Sequence, residues 1–199
     1  LDLPTASYKL TYKAENGRGV YSFCMCPGGY VVNASSEKGM LAVNGMSDYL
    51  RDGINANSAI VVTVGAEDFD GTDALAGMRF QRKWEKKAFD TAGGKIPVQL
   101  FGDFKKNVVS KEFGNVRPQT KGETAFANVR EILPGEVADS IEEGITAFEK
   151  KINGYSRDDT LLLGIESRTS SPVKIVRDDT MQSNIKGLYP CGEGAGYAG

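Results

Sequence analysis

The sequence predicts an α+β fold: an antiparallel sheet domain with two long helices, followed by short strands that belong to an incomplete sheet. Three observations predict it. The first third alternates short apolar runs with glycine-rich turns, the middle changes to helical spacing, and strand signals return after Tyr155. Residues 1–155 read as one domain and 156–199 as a segment returning into a second, truncated one.

In the first third, Tyr8 to Tyr12, Val20 to Cys26, Gly29 to Asn33, Leu41 to Asn44 and Ser58 to Val64 read as strands of an antiparallel sheet. Asn16-Gly17 is a hairpin signal, because both residues tolerate the positive φ of a tight turn. Pro27-Gly28-Gly29 reads as a second turn, separating the second strand from the third. Between Asp73 and Ala92, Phe80, Trp84 and Ala88 share one face while Arg82, Lys83, Glu85, Lys86 and Lys87 fall mostly on others. That pattern predicts a helix with Asp73 as N-cap and Gly93-Gly94 as its stop. After Pro134, the spacing of Val137, Ile141, Ile145, Phe148 and Ile152 predicts a second helix closed by Asn153-Gly154. Asp103 to Val109 reads as a short third helix and Gly114 to Gly122 as a loop. Thr160 to Ile165, Val173 to Val176 and Leu188 to Cys191 read as strands lying close together, with sheet partners outside the sequence and an unpaired edge that favours self-association.

With 199 residues, 40% of them hydrophobic, the chain can bury a sizeable core. Lys and Arg number 24 against 26 Asp and Glu, so the formal charge of -2 gives no electrostatic reason to expect nucleic acid or an anionic membrane as partner. No run approaches the roughly 18 apolar residues of a membrane span, and the first residues do not form a signal peptide, so a cytoplasmic location is expected. The cysteines Cys24, Cys26 and Cys191 are too few for a disulfide framework and lack the spacing of a zinc site, so no metal is expected. The absence of histidine removes Ser-His and Cys-His nucleophilic machinery. Chemistry then falls to carboxylates, Lys, Tyr, Cys or a cofactor.

Leu188 to Gly199 run from a short apolar strand into a glycine-rich turn with one carboxylate. Glycines let backbone N–H groups approach a polar ligand, and a helix beginning beyond them would aim its positive end at it. Gly192, Glu193, Gly194 and Gly196 are therefore candidate binding residues, the plain alternative being a flexible tail. Arg168, Thr169, Ser170 and Ser171, before Pro172, offer guanidinium and hydroxyl donors. Otherwise they are an ordinary turn, with Glu166 and Arg168 in solvent. Cys24 and Cys26, one residue apart in an apolar strand, share a face, a placement that strains any direct disulfide. Cys26, next to the turn, is the candidate catalytic thiol; the alternative is a pair of small core residues. Asn55-Ala56-Asn57-Ser58 either cap a turn or line a substrate pocket.

The terminal Cys191-Gly192-Glu193-Gly194-Ala195-Gly196-Tyr197-Ala198-Gly199 stretch resembles the C-terminal FAD-binding motif of flavoproteins in the glutathione reductase superfamily. Together with Val20 to Val32, Asn44-Gly45-Met46-Ser47, Asn55 to Ala59 and Gly164 to Val173, it resembles a family of bacterial FAD-dependent dehydrogenases along nearly the whole chain. In that family a Rossmann half with Gly-x-Gly-x-x-Gly comes first and a helix follows the terminal glycines; neither is in this sequence, which reads as an internal fragment.

The resemblance implies that Glu193 contacts the ribityl chain of FAD, that Gly192, Gly194 and Gly196 permit close approach, and that the Arg168 to Ser171 loop addresses a flavin carbonyl. It also implies an oxidoreductase in which this domain covers the isoalloxazine and shapes the substrate pocket, for hydride transfer to or from flavin N5. Cys26 would lie near flavin or substrate. The partners implied are FAD and a small-molecule substrate. The isolated fragment is expected to lack FAD and activity. A different reading is a noncatalytic module that binds a small molecule or protein on its own.

Overall fold

In the computed structural model, which describes residues 9–196, the Asn16-Gly17 signal closes a hairpin between β1 (Leu10–Lys13) and β2 (Gly19–Asn33). Gly17 takes φ 87, Ala14 N donates to Arg18 O at 2.9 Å, and Asn16 Oδ1 accepts from Arg18 N at 3.0 Å. The first half of β2 lies beside β1 and β4 (Asn55–Val62). Its second half pairs antiparallel with β3 (Val43–Ser47) and parallel with a two-residue strand, β6 (Thr120–Lys121), completing a five-stranded sheet.

Pro27-Gly28-Gly29 is therefore not a turn between two strands. β2 runs through it, and its register with β4 shifts between Phe23 and Cys26 and again between Cys26 and Gly29. Bulges of this kind tolerate a proline, because the ladder is already interrupted. Gly28, at φ 57, backs onto Arg51 so closely that a Cβ would stand 2.2 Å from its carbonyl oxygen.

Helix α1 (Ala76–Thr91) occupies the predicted span but starts after Leu75. Asp73 acts just outside it, accepting Leu75 N on its side chain and Ala76 N on its carbonyl, both at 3.0 Å. The C-terminus closes as Gly93-Gly94 predict: Gly94 N reaches Phe89 O at 2.8 Å, with both glycines in left-handed backbone. Helix α2 (Phe101–Lys106) overlaps the expected 103–109 region but starts two residues earlier and ends at Lys106, and α4 (Gly135–Phe148) begins after Pro134. It leaves the helical path one turn before Ile152. There Glu149 accepts Gly154 N and Ser156 N, each at 2.8 Å, and Ile152 is left 39% exposed.

Several elements carried no sequence signal that stood out, among them β6, which falls in the stretch 114–122 expected to be a loop. β5 (Ile96–Leu100) is the centre of a second sheet, parallel to β7 (Thr124–Phe126) and antiparallel to β8 (Leu161–Leu163). Pro97 hides it, since a proline argues against a central strand. The short α3 (Val129–Ile132) is capped by Asn128.

The Thr160 to Ile165 signal thus forms a strand whose partner, β5, lies within the described residues. Val173 to Val176 and Leu188 to Cys191 form no strand; an isolated bridge, Arg177 to Ser183, lies between them. Ile175, Val176, Leu188 and Tyr189 are all exposed, so these runs have no apolar face against which a sheet would form. The core gathers Leu41, Val43, Ala88 and Ile96 between the sheets and α1; Phe101, Phe104, Ala138 and Ile145 beneath α2 and α4; and Leu10, Val20 and Phe148 at the hairpin. Among the described residues no helix is long and apolar enough to cross a membrane.

Candidate functional site

Periodicity places Glu85 among the charged faces of α1, yet it is 1% exposed. A carboxylate so buried needs partners. Arg168 supplies two, Nε to Oε1 and Nη2 to Oε2, each at 2.8 Å, and Ser167 Oγ donates to Oε1 at 2.6 Å. The guanidinium also reaches Ser36 Oγ at 2.7 Å and Glu37 Oε1 at 3.3 Å, while Arg82 meets Glu37 at 2.9 Å. Hydrogen bonding to Glu85 raises the already high Arg168 pKa. Gln81 Nε2 donates to Ser167 O at 2.9 Å, so the 166–171 loop is fastened to α1 along two turns.

Glu193 opens a short 3-10 turn (Glu193–Ala195) between Gly192 and Gly196, whose φ values of 79 and 85 favour glycine at both ends. Ser171 N donates to Glu193 Oε1 at 2.5 Å, and Ile175 N to Gly194 O at 2.7 Å. A Cβ on Gly192 would meet nothing within 4 Å, so glycine is required there by backbone conformation and not by crowding. Arg168, Ser170, Ser171, Glu193 and Gly194 line one shallow cleft of about 350 Å³ together with Gln81. Thr169 is exposed beside it. Residues 197–199 of the terminal motif lie outside the described residues.

Cys26 belongs to a second cluster. Cys24 is exposed and Cys26 half-buried, so neither is a core residue, and Cys26 Sγ donates to Cys24 O at 3.3 Å. Cys24 holds φ 49, so the regular strand geometry that would put both thiols on one face does not hold. Burial, and secondarily the Glu166 carboxylate, pushes the Cys24 thiol pKa up. Burial, Cys24 and Glu166 push up that of Cys26, against the lowering effect of Arg51. Burial also raises the Glu166 carboxyl, which Asn44 Nδ2 partly offsets by donating to Oε1 at 3.1 Å. The plain alternative for this loop left Glu166 in solvent, whereas it is half-buried; its position two residues before the cleft-lining Arg168 is the signal that could have drawn attention to it.

A flavin dinucleotide needs acceptors for its ribityl hydroxyls and donors for its pyrophosphate. Glu193 Oε2 has no protein partner among the described residues, so the carboxylate can accept a hydroxyl from a ligand in the cleft. Arg168 has each of its nitrogens already engaged. The cleft therefore fits the hydroxyl-bearing part of such a cofactor. No cluster of three or more metal-ligating side chains occurs among the described residues.

Residues 1–169 match the model of a family described as FAD-dependent protein, C-terminal domain-like. An "uncharacterized protein" of Clostridium beijerinckii is 54% identical over 201 residues, an alignment covering 99% of this chain and 38% of that relative. The chain thus spans well under half the length of the relative it matches.

Proposed function

Since the chain belongs to the family of FAD-dependent protein C-terminal domains, we propose that it is the substrate-side part of a longer FAD-dependent oxidoreductase, covering the flavin and shaping the pocket in which hydride passes between a small-molecule substrate and flavin N5. The observation that carries this reading is the Glu193 carboxylate, anchored at one oxygen by Ser171 N and open at the other, beside Ser170, Ser171 and Gly194 in one cleft.

In this reading FAD supplies the redox chemistry when bound. Glu193 accepts a ribityl hydroxyl, and the backbone of Gly192, Gly194 and Gly196 permits close approach. Ser170, Ser171 and Thr169 are the hydroxyls nearest the ligand. Arg168 acts by positioning, since its donors hold the loop on Glu85. Cys26 and Glu166 stand at the substrate side. Segment 156–199 forms the return toward the flavin-binding part, held to the first 155 residues by the β5–β8 pairing and the Arg168–Glu85 contact. Its exposed Val176, Ile185 and Tyr189 are the surface through which the isolated chain would self-associate.

The test is flavin titration of the longer polypeptide and its Glu193→Ala variant. A hydrogen bond to a charged group is worth roughly 1.5 to 3 kcal/mol, and about 1.4 kcal/mol is a decade of affinity, so FAD should bind about ten- to a hundredfold more weakly. Equal affinity in parent and variant would remove Glu193 from the site. The chain on its own is expected to purify without stoichiometric flavin, because the Arg168 nitrogens in the cleft are already engaged and not free for the pyrophosphate.

A further inference from the structure

In an unbroken strand, residues two apart are separated by about 6.6 Å and their side chains project in parallel. A disulfide needs Cβ atoms roughly 3.5 to 4.5 Å apart. β2 is broken where its two cysteines lie. The register with β4 shifts on both sides of Cys26, and Cys24 takes φ 49, a left-handed conformation that a residue carrying a Cβ adopts at some cost. A left-handed residue turns the chain back on itself. Cys26 Sγ accordingly lies 3.3 Å from the carbonyl oxygen of the residue two before it. Both thiols are free, Cys24 exposed and Cys26 half-buried, so Cys24 is the one a small reagent reaches first.

We propose that Cys24 and Cys26 form a reversible dithiol–disulfide couple at this bulge, oxidised by low-molecular-weight disulfides. The exposed Cys24, as thiolate, attacks one sulfur of glutathione disulfide, and the departing glutathione thiolate takes up the proton that Cys24 gave to solvent. Cys26, deprotonated in turn, attacks the Cys24 sulfur of the mixed disulfide and expels the second glutathione, which is protonated likewise. Two cysteine S–H bonds and one glutathione S–S bond are replaced by one S–S bond within β2 and two glutathione S–H bonds. Two electrons pass from the cysteine sulfurs to glutathione. The ring fixes the bend at which Gly28 packs on the backbone of Arg51.

The neighbours set the rate. From the segment after β8, Glu166 opposes the thiolate; from the β3–β4 connection, Arg51 favours it; Asn44 on β3 holds Glu166 in place. Burial and Glu166 prevail, since both thiol pKa values are raised, so the exchange is slow at neutral pH and accelerates as pH rises.

Trypsin releases one peptide, 19–38, that carries both cysteines and excludes Cys191. The chain is treated with excess oxidised glutathione at about pH 8.5, near the ordinary thiol pKa, alkylated with iodoacetamide and digested. Peptide 19–38 is expected to lack the two thiol hydrogens, to carry neither glutathione nor alkyl group, and to regain both thiols with dithiothreitol. Exposed Cys191, glutathionylated in the same sample, shows that the oxidant acted. Cys24→Ser and Cys26→Ser should each abolish ring formation, and Glu166→Gln should speed it severalfold. A parent peptide that keeps one glutathione beside an alkylated cysteine, or that is alkylated at both while Cys191 is modified, overturns the proposal.

Discussion

The carboxylate of Glu85, buried at the middle of α1, accepts both arms of the Arg168 guanidinium from 83 residues further along the chain. Their exposures differ sharply: the Arg168 side chain is 41% exposed and that of Glu85 is 1% exposed. Arg168→Ala leaves a buried carboxylate without its cation and is expected to cost about 3 to 5 kcal/mol. Glu85→Ala should cost less, because the guanidinium can turn toward water and toward Glu37. Urea unfolding of the two single variants and the double variant checks this; equal losses would show that Ser167 alone satisfies Glu85.

Gly144 lets α4 lie directly on β2. A Cβ there would stand 2.5 Å from Cγ1 of the fully buried Val20. Overpacking costs about 1 to 3 kcal/mol, against at most about 1 kcal/mol gained from alanine's better helix propensity. Gly144→Ala is therefore expected to lower the melting temperature. Gly135→Ala, at the start of the same helix with nothing within 4 Å of the new methyl, should leave it unchanged or raise it.

Burial holds the Glu166 carboxyl above its ordinary pKa, so in the interval between the unfolded and folded values the native state binds more protons than the unfolded state. The stability this group contributes is present below the unfolded carboxyl pKa, about 4.3, and is lost as pH rises through the folded value. Glu166→Gln removes the charge that burial penalises and keeps an acceptor for Asn44. Its melting temperature should exceed the parent's near neutrality, with the gap closing in acid. A gap independent of pH would show that the charge on Glu166 is not the cause.

Trp84 packs against the Leu41–Ala88–Ile96 core and meets Phe80 edge-on at 5.8 Å, but its buried Nε1 has no hydrogen-bond partner among the described residues. An unsatisfied buried donor costs about 1 to 3 kcal/mol. Trp84→Phe removes that cost along with some packing, so its net effect on chemical denaturation should stay within about 1 kcal/mol. Trp84→Ala, which opens a cavity, should cost about 3 to 5 kcal/mol. A large loss in the phenylalanine variant would mean that the indole N–H is satisfied in solution.

The sequence by itself determined the features that depend on neighbours in the chain. Asn16-Gly17 closes its hairpin, Gly93-Gly94 end α1, and the apolar stripe after Pro134 makes α4, because turn chemistry and helical periodicity act over a few residues. The Arg168 to Ser171 loop and Glu193 were also legible as polar groups, and they meet in one cleft. Their division of labour was not legible. That Arg168 is held by Glu85, and that Ser171 N anchors Glu193, depends on where helix and loop pack, which periodicity does not encode. Tertiary pairing likewise decided β5: Pro97 argues against a central strand, yet burial of Ile96 and Val98 between β7 and β8 outweighs the missing N–H. It also decided the cysteines, since a bulge at Cys24 is fixed by how β2 meets β4 and Arg51, not by the residues beside it. Local rules set the elements, while long-range packing set which polar groups are buried, and hence which of them must pair.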